Sequence, residues 1–172
     1  STLDVRKATA RGVSIRGTLK PLDLQRFRSL LADDDGLIEA ELSFTRDEEN
    51  RHIIHLAVTA GVVVTCQRCL EPLPISLACD NTLAVVWTAE QAAQLPRHLD
   101  PLVVEEEACS LWDVVEDELI LALPAFSYHS TEECQQTLAR FNAGQAPEME
   151  PVMSDKPNPF NVLAQLKPGS KT

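Results

Sequence analysis

Cys66 and Cys69, separated by Gln67 and Arg68, have the type and spacing of two ligands to one metal ion, while His129 and Cys134, five positions apart, form a weaker pattern. Thiolates and neutral imidazole suit zinc, and two cysteines three positions apart are a common half-site. No second C-x-x-C occurs, so His129 and Cys134 are the best additional ligands, giving a Cys3His set. The same cysteine pair could be a redox dithiol. Such a pair works from a helix N-terminus, where the dipole lowers a thiol pKa. Here Pro72 and Pro74 follow instead of a helix. A third reading is structural: the cysteines shape a tight turn and pack as small apolar residues.

Arg68 lies inside this knuckle, where it is expected to be exposed and able to contact phosphate. Arg6, Lys7, Arg11 and Arg16 are further RNA-contact candidates near the N-terminus. The charge is uneven. Residues 1–28 carry seven Lys/Arg against two Asp/Glu, residues 87–172 carry five against fourteen, and the net charge is −11. Such a chain repels nucleic acid over most of its surface, leaving a local basic patch for RNA or an acidic half for a basic protein partner. Aromatic residues are 5% of the sequence and fall mostly at core-like positions, which argues against a stacking platform and a single-strand reader.

Other chemistry is thinly represented. Asp113, Glu116, Asp117 and Glu118 crowd the first half of one helix and are expected to form a solvated face favoured by the helix dipole. His52 and His55 are three apart on a strand, so they point to opposite faces and make poor joint ligands. G-x-S-x-G, Walker A, G-x-G-x-x-G and H-E-x-x-H motifs are absent from the sequence. The expectation is a non-enzymatic protein. It needs no cofactor for chemistry, and zinc is the one candidate.

The elements that must position these residues are visible in the hydropathy pattern. Val13 to Leu19, Leu37 to Thr45, His52 to Thr65 and Ile75 to Trp87 alternate or run β-branched, predicting strands, with Leu102 to Val104 as a shorter one. Asp47 to Asn50 reads as a hairpin tip and Cys66–Cys69 as the next knuckle. Leu24, Phe27, Leu30 and Leu31 form a short helical stripe. Ser110 opens the main helix with capping-box spacing to Asp113; Leu111, Val114, Val115, Leu119, Ala122 and Leu123 follow its period, and Pro124 ends it. Strands first and the main helix later predict an α+β fold: an antiparallel sheet or partial barrel with one main helix packed on it and a short C-terminal helical module. The expected organisation is a core over residues 1–128, a mobile polar segment over 129–155, and a Pro/Phe module over 156–172 docking on the core.

The 172 residues suffice for one domain with a sizeable core. Five cysteines, an odd number, argue for reduced thiols rather than a disulfide framework. The lack of an 18-residue apolar stretch or signal-type segment sets the expectation of a cytoplasmic protein without a membrane partner.

Three segments, in order, carry a family resemblance: Cys66-Gln-Arg-Cys69, Val115-Glu-Asp-Glu-Leu-Ile-Leu-Ala-Leu-Pro124, and Lys156-Pro-Asn-Pro-Phe160 with Val162-Leu163-Ala164. Together they resemble the YceD family, the large ribosomal RNA subunit accumulation proteins of bacteria and plastids, most closely its proteobacterial branch. The resemblance implies an acidic cytoplasmic factor for large ribosomal subunit biogenesis and ribosomal RNA processing, acting without catalysis. Its implied partner is precursor large-subunit ribosomal RNA or a basic ribosomal protein, with no small-molecule substrate. Some relatives are richer in cysteine beyond the central helix, where this chain offers His129 and Cys134. The competing function is a zinc- or thiol-dependent small protein centred on Cys66 and Cys69.

Overall fold

The computed structural model describes residues 2–104 and 108–144. The expected C-terminal module over 156–172 and the acidic stretch Glu105–Glu107 lie outside the described residues.

Three long strands dominate: β3 (Gly36–Arg46), β4 (His52–Thr65) and β5 (Pro72–Val86). In β4 burial alternates almost residue by residue, as β-branched residues on a one-sided sheet require. The antiparallel register sets Ile38 against Ala60, Ala40 against Val58, Leu42 against Leu56 and Phe44 against Ile54, so one face is continuously apolar. β2 (Ser14–Leu19) pairs with the outer edge of β3, and β6 (Asp100–Val103) pairs with β5. The five-stranded sheet has the order β2-β3-β4-β5-β6. Its last pair is parallel, so the sheet is mixed rather than purely antiparallel. The excursion between β5 and β6, which includes helix α3 (Ala89–Ala93), supplies the crossover that a parallel pair needs. A second, two-stranded sheet joins β1 (Thr2–Asp4) to β7 (Ala108–Ser110).

Helices cover the apolar face. Helix α1 (Val5–Arg11) buries Val5 and Ala8; Asp4 caps its start, and Gly12 ends it in the left-handed region. Residues 21–23 form a 3-10 turn before α2 (Gln25–Arg28), and Leu24 and Phe27 reach the core. The expected stripe is cut short there, because Leu30 is half exposed. Helix α4 (Leu111–Ala122) starts at Ser110, whose hydroxyl accepts from the Asp113 N–H as its spacing anticipates. Leu111, Val114, Val115 and Leu119 pack against the sheet in one continuous core. Ile53, Ala84 and Leu99 make a small cluster apart from that core.

One expectation for α4 needs correction. The carboxylates are not all a solvated face, for Glu116 and Glu118 are buried. The Glu116 carboxylate accepts the N–H groups of Arg26 and Phe27 at 2.6 and 3.0 Å and pairs with the Arg26 guanidinium. It is a long-range cap for α2, whose start has no side-chain cap of its own. After α4 the chain forms a further helix, α5 (Thr131–Gly144), whose start is capped by Ser130 and Glu133.

Candidate functional site

β4 carries the chain to Thr65, and the knuckle turns it back into β5. The turn is closed by Cys66 N–H donating to the Glu71 carbonyl and Leu70 N–H donating to the Cys66 carbonyl, each at 2.9 Å. Leu70 sits at φ 63° with its side chain 75% exposed. This left-handed conformation favours glycine, and its place immediately after Cys69 completes the tight turn around the sulfurs. A second segment docks alongside. Gln67 N–H donates to the Ser127 carbonyl at 2.9 Å, and His129 N–H donates to the Cys66 sulfur at 3.4 Å.

These contacts bring the four sequence-derived ligands together. Cys66, Cys69 and His129 and Cys134 place one donor atom each within 4.8 Å of one another. Cys66 Sγ and Cys134 Sγ are 3.6 Å apart, and Cys69 Sγ lies 3.3 Å from His129 Nδ1. In a zinc tetrahedron with ordinary bond lengths, S···S and S···N edges would be about 3.8 and 3.6 Å, so the cluster is near that size. His129 Nε2 lies 3.1 Å from the Pro72 carbonyl, which can only accept, so Nε2 carries the proton. Nδ1 is thereby left with its lone pair facing Cys69. This is the orientation that a carbonyl partner gives a metal-binding imidazole.

The electrostatics favour a thiolate at Cys66. Burial alone would raise the Cys66 thiol, but the N–H groups of Cys69, His129 and Arg68 point at its sulfur and bring it down to about 5. Cys134 goes the other way, pushed up to about 11 by burial and by hydrogen bonding and charge from Cys66 and Cys69. Thiolates crowd one another until a cation joins them, and coordinated thiols ionise outright. If zinc bound here, three thiolates and one imidazole would fill all four tetrahedral positions from the protein, as in a structural site, whereas a catalytic site keeps a position open. All five cysteines are free, and Cys66, Cys69 and Cys134 also form a small apolar cluster with Leu73, separate from the main core.

The cationic candidates are dispersed. Arg6, Lys7 and Arg11 lie on α1, at the end of the sheet where Thr9 meets His52. Arg6 stacks on Trp87, Lys7 pairs with Asp4, and Arg16 pairs with Glu41. Arg68 lies just past the other end of β4, a strand that runs about 40 Å from His52 to Thr65 when extended. The structure therefore does not unite Arg68 with the N-terminal cations. His52 and His55 diverge as the strand pattern requires: His52 meets Thr9 and Trp87, and His55 meets Thr82.

One neighbour of Arg68 overturns an expectation. Aromatic residues do accompany it, for its guanidinium lies 5.0 Å from the centre of the Tyr128 ring. Tyr128 in turn is parallel to Phe126 within 5°, with centroids 6.3 Å apart. Phe126 is 70% exposed and Tyr128 46%. Composition could not reveal this, because a low aromatic content says nothing about where the few rings sit. The local cue was the alternation Phe126-Ser127-Tyr128-His129 in an extended stretch, whose odd positions turn inward to the knuckle.

The chain is similar to known proteins over most of its length. The family model described as large ribosomal RNA subunit accumulation protein YceD matches residues 54–167, spanning both halves of the cysteine–histidine cluster. The protein of that name from Haemophilus influenzae is 34% identical over 167 residues, covering 96% of this chain and 94% of the relative. No solved structure matches the chain. Among the described residues no helix is long and apolar enough to cross a membrane. By the extent of these matches, the chain belongs to the YceD family of large ribosomal RNA subunit accumulation proteins.

Proposed function

We propose that this protein is a non-catalytic, cytoplasmic factor in large-subunit ribosome biogenesis, acting by binding, with a zinc ion holding its knuckle in shape. The observation that carries the biological reading is the end-to-end similarity to a relative named for large ribosomal RNA subunit accumulation. The lack of catalysis is supported by chemistry. A Cys3His set leaves no open coordination position, and Cys66 is fully buried, which disfavours a redox or nucleophilic thiol. Bound zinc would tie the knuckle to the segment 129–134 and so present Arg68 on a rigid tip. The partner is precursor large-subunit ribosomal RNA or a basic ribosomal protein.

The test is complementation. Cells lacking the gene should have less large-subunit relative to small-subunit ribosomal RNA, and the full chain should restore the ratio. If loss of the gene leaves the ratio unchanged, this reading fails. Zinc content of protein purified without chelator tests the metal: one equivalent is expected in the wild type and a small fraction of that in Cys66→Ser.

A further inference from the structure

We infer that Phe126, Tyr128 and the Arg68 guanidinium form a platform on which unpaired RNA bases stack; this rests on the proposed ribosomal role and names the chemistry its ligand would present. Three planar groups sit in succession at one exposed tip. Arg68 lies 5.0 Å from the Tyr128 ring centre, and Phe126 runs parallel to that ring. With centroids 6.3 Å apart, neither ring fully covers the other, so aromatic face remains available. Elsewhere Phe27 and Phe44 are fully buried, and Phe141 on α5 is exposed but makes no ring stack of this kind among the described residues.

The platform is held from behind. Ser127 is buried between the two rings in sequence, and its carbonyl accepts from Gln67 N–H. His129 is fastened to Cys66 through its N–H and to Pro72 through its ring. Alternation along this extended stretch then turns Phe126 and Tyr128 outward together. Pre-positioned rings lose little conformational freedom on binding, which favours affinity.

Charge selects the ligand's form. The seven ion pairs among the described residues do not include Arg68, whose side chain contacts the Thr131 hydroxyl at 3.5 Å. A single guanidinium at this tip, on a chain of net charge −11, cannot track a phosphate backbone. Duplex RNA hides its base faces, whereas loops and single strands offer them. Binding should therefore be selective for single strands, indifferent to sequence at first order, and weakly dependent on salt.

The experiment uses the full zinc-loaded chain and a short, labelled, mixed-sequence RNA oligomer, read by fluorescence anisotropy and by quenching of Tyr128. Phe126→Ala and Tyr128→Ala should each weaken binding about 5- to 100-fold, while Tyr128→Phe retains it. The exposed side chains allow these variants to fold, which zinc content and thermal melting check. Equal binding by wild type and alanine variants, or equal affinity for duplex, overturns the inference. Capture of a basic ribosomal protein in place of RNA, lost in the same variants, also overturns it and leaves the proposed function standing. In cells, full complementation by both alanine variants refutes the platform alone, whereas no effect of deleting the gene refutes the function beneath it.

Discussion

Removing the metal should undock α5 and leave the sheet intact. Across residues 131–143 of α5, Cys134 is the one buried residue, with Thr137 half-buried. Burying a cysteine-sized side chain yields about 1–2 kcal/mol. A 14-residue helix is marginal by itself, and fixing each residue of the lead-in costs about 1–2 kcal/mol. Apolar contact at Cys134 is thus insufficient to hold residues 126–144 against the knuckle. Structural zinc binds peptide sites with about 10–16 kcal/mol, and His129 and Cys134 are half of the ligands. Even a third of that energy, about 4 kcal/mol, changes a docking equilibrium roughly a thousand-fold. Hydrogen exchange of zinc-loaded and chelated protein should show this at the amides of Gln67, His129 and Cys134, which are bonded across or beside the cluster. Their protection should drop by about a thousand-fold, while β3–β4 amides hold theirs. Unchanged protection after complete metal removal, or a cluster that takes up no zinc, would refute the reasoning. Cys134→Ala should reproduce the chelated pattern.

Other perturbations probe the frame. Glu116→Ala strands the N–H of fully buried Phe27 and should cost about 2–4 kcal/mol by chemical denaturation, with Glu116→Gln costing less. Burial alone would raise the Glu116 carboxyl, but hydrogen bonds from Phe27 and Arg26 outweigh it and hold it below 4.5. Its contribution is therefore full above that value and is lost as pH falls through the lowered folded value. Denaturation midpoints of wild type should drop more steeply on acidification than those of Glu116→Gln. Leu70→Gly should leave zinc binding intact and relieve about 1 kcal/mol of left-handed strain, raising the melting temperature of the knuckle's amide protection. At Gly36 an added Cβ would sit 2.6 Å from the Gly61 carbonyl oxygen, so Gly36→Ala must part β3 from β4 and should cost about 1–3 kcal/mol in a thermal melt.

What the linear chain reveals follows the range of the interaction. β3 and β4 are legible because alternation is local and their burial follows it closely. The Ser110 cap is legible because cap and recipient are three residues apart. The four clustered ligands could be nominated from residue type alone, although Cys66 and Cys134 are 68 positions apart. Helix α1 passes unnoticed because basic side chains interrupt a stripe of only Val5, Ala8 and Thr9. Helix α5 escapes for a related reason: a helix with one buried residue has no period to detect. The burial of Glu116 is not legible because its partners, Arg26 and Phe27, are some 90 residues upstream. The parallel attachment of β6 depends on a crossover that hydropathy does not encode.

β4 outruns its neighbour. Pairing with β3 stops at Val62, and β4 and β5 continue together to Thr65 and Pro72 before the knuckle. The sulfur cluster is thus a separate packing unit at the end of a two-stranded arm, while α1, α2, α4 and the large apolar residues gather lower on the sheet. Such a division uncouples tuning of the tip from survival of the body. Residues at the arm's end can be exchanged with energetic effects that add independently to those of changes in the main core. One chain can thereby vary its recognition while its foldedness stays constant.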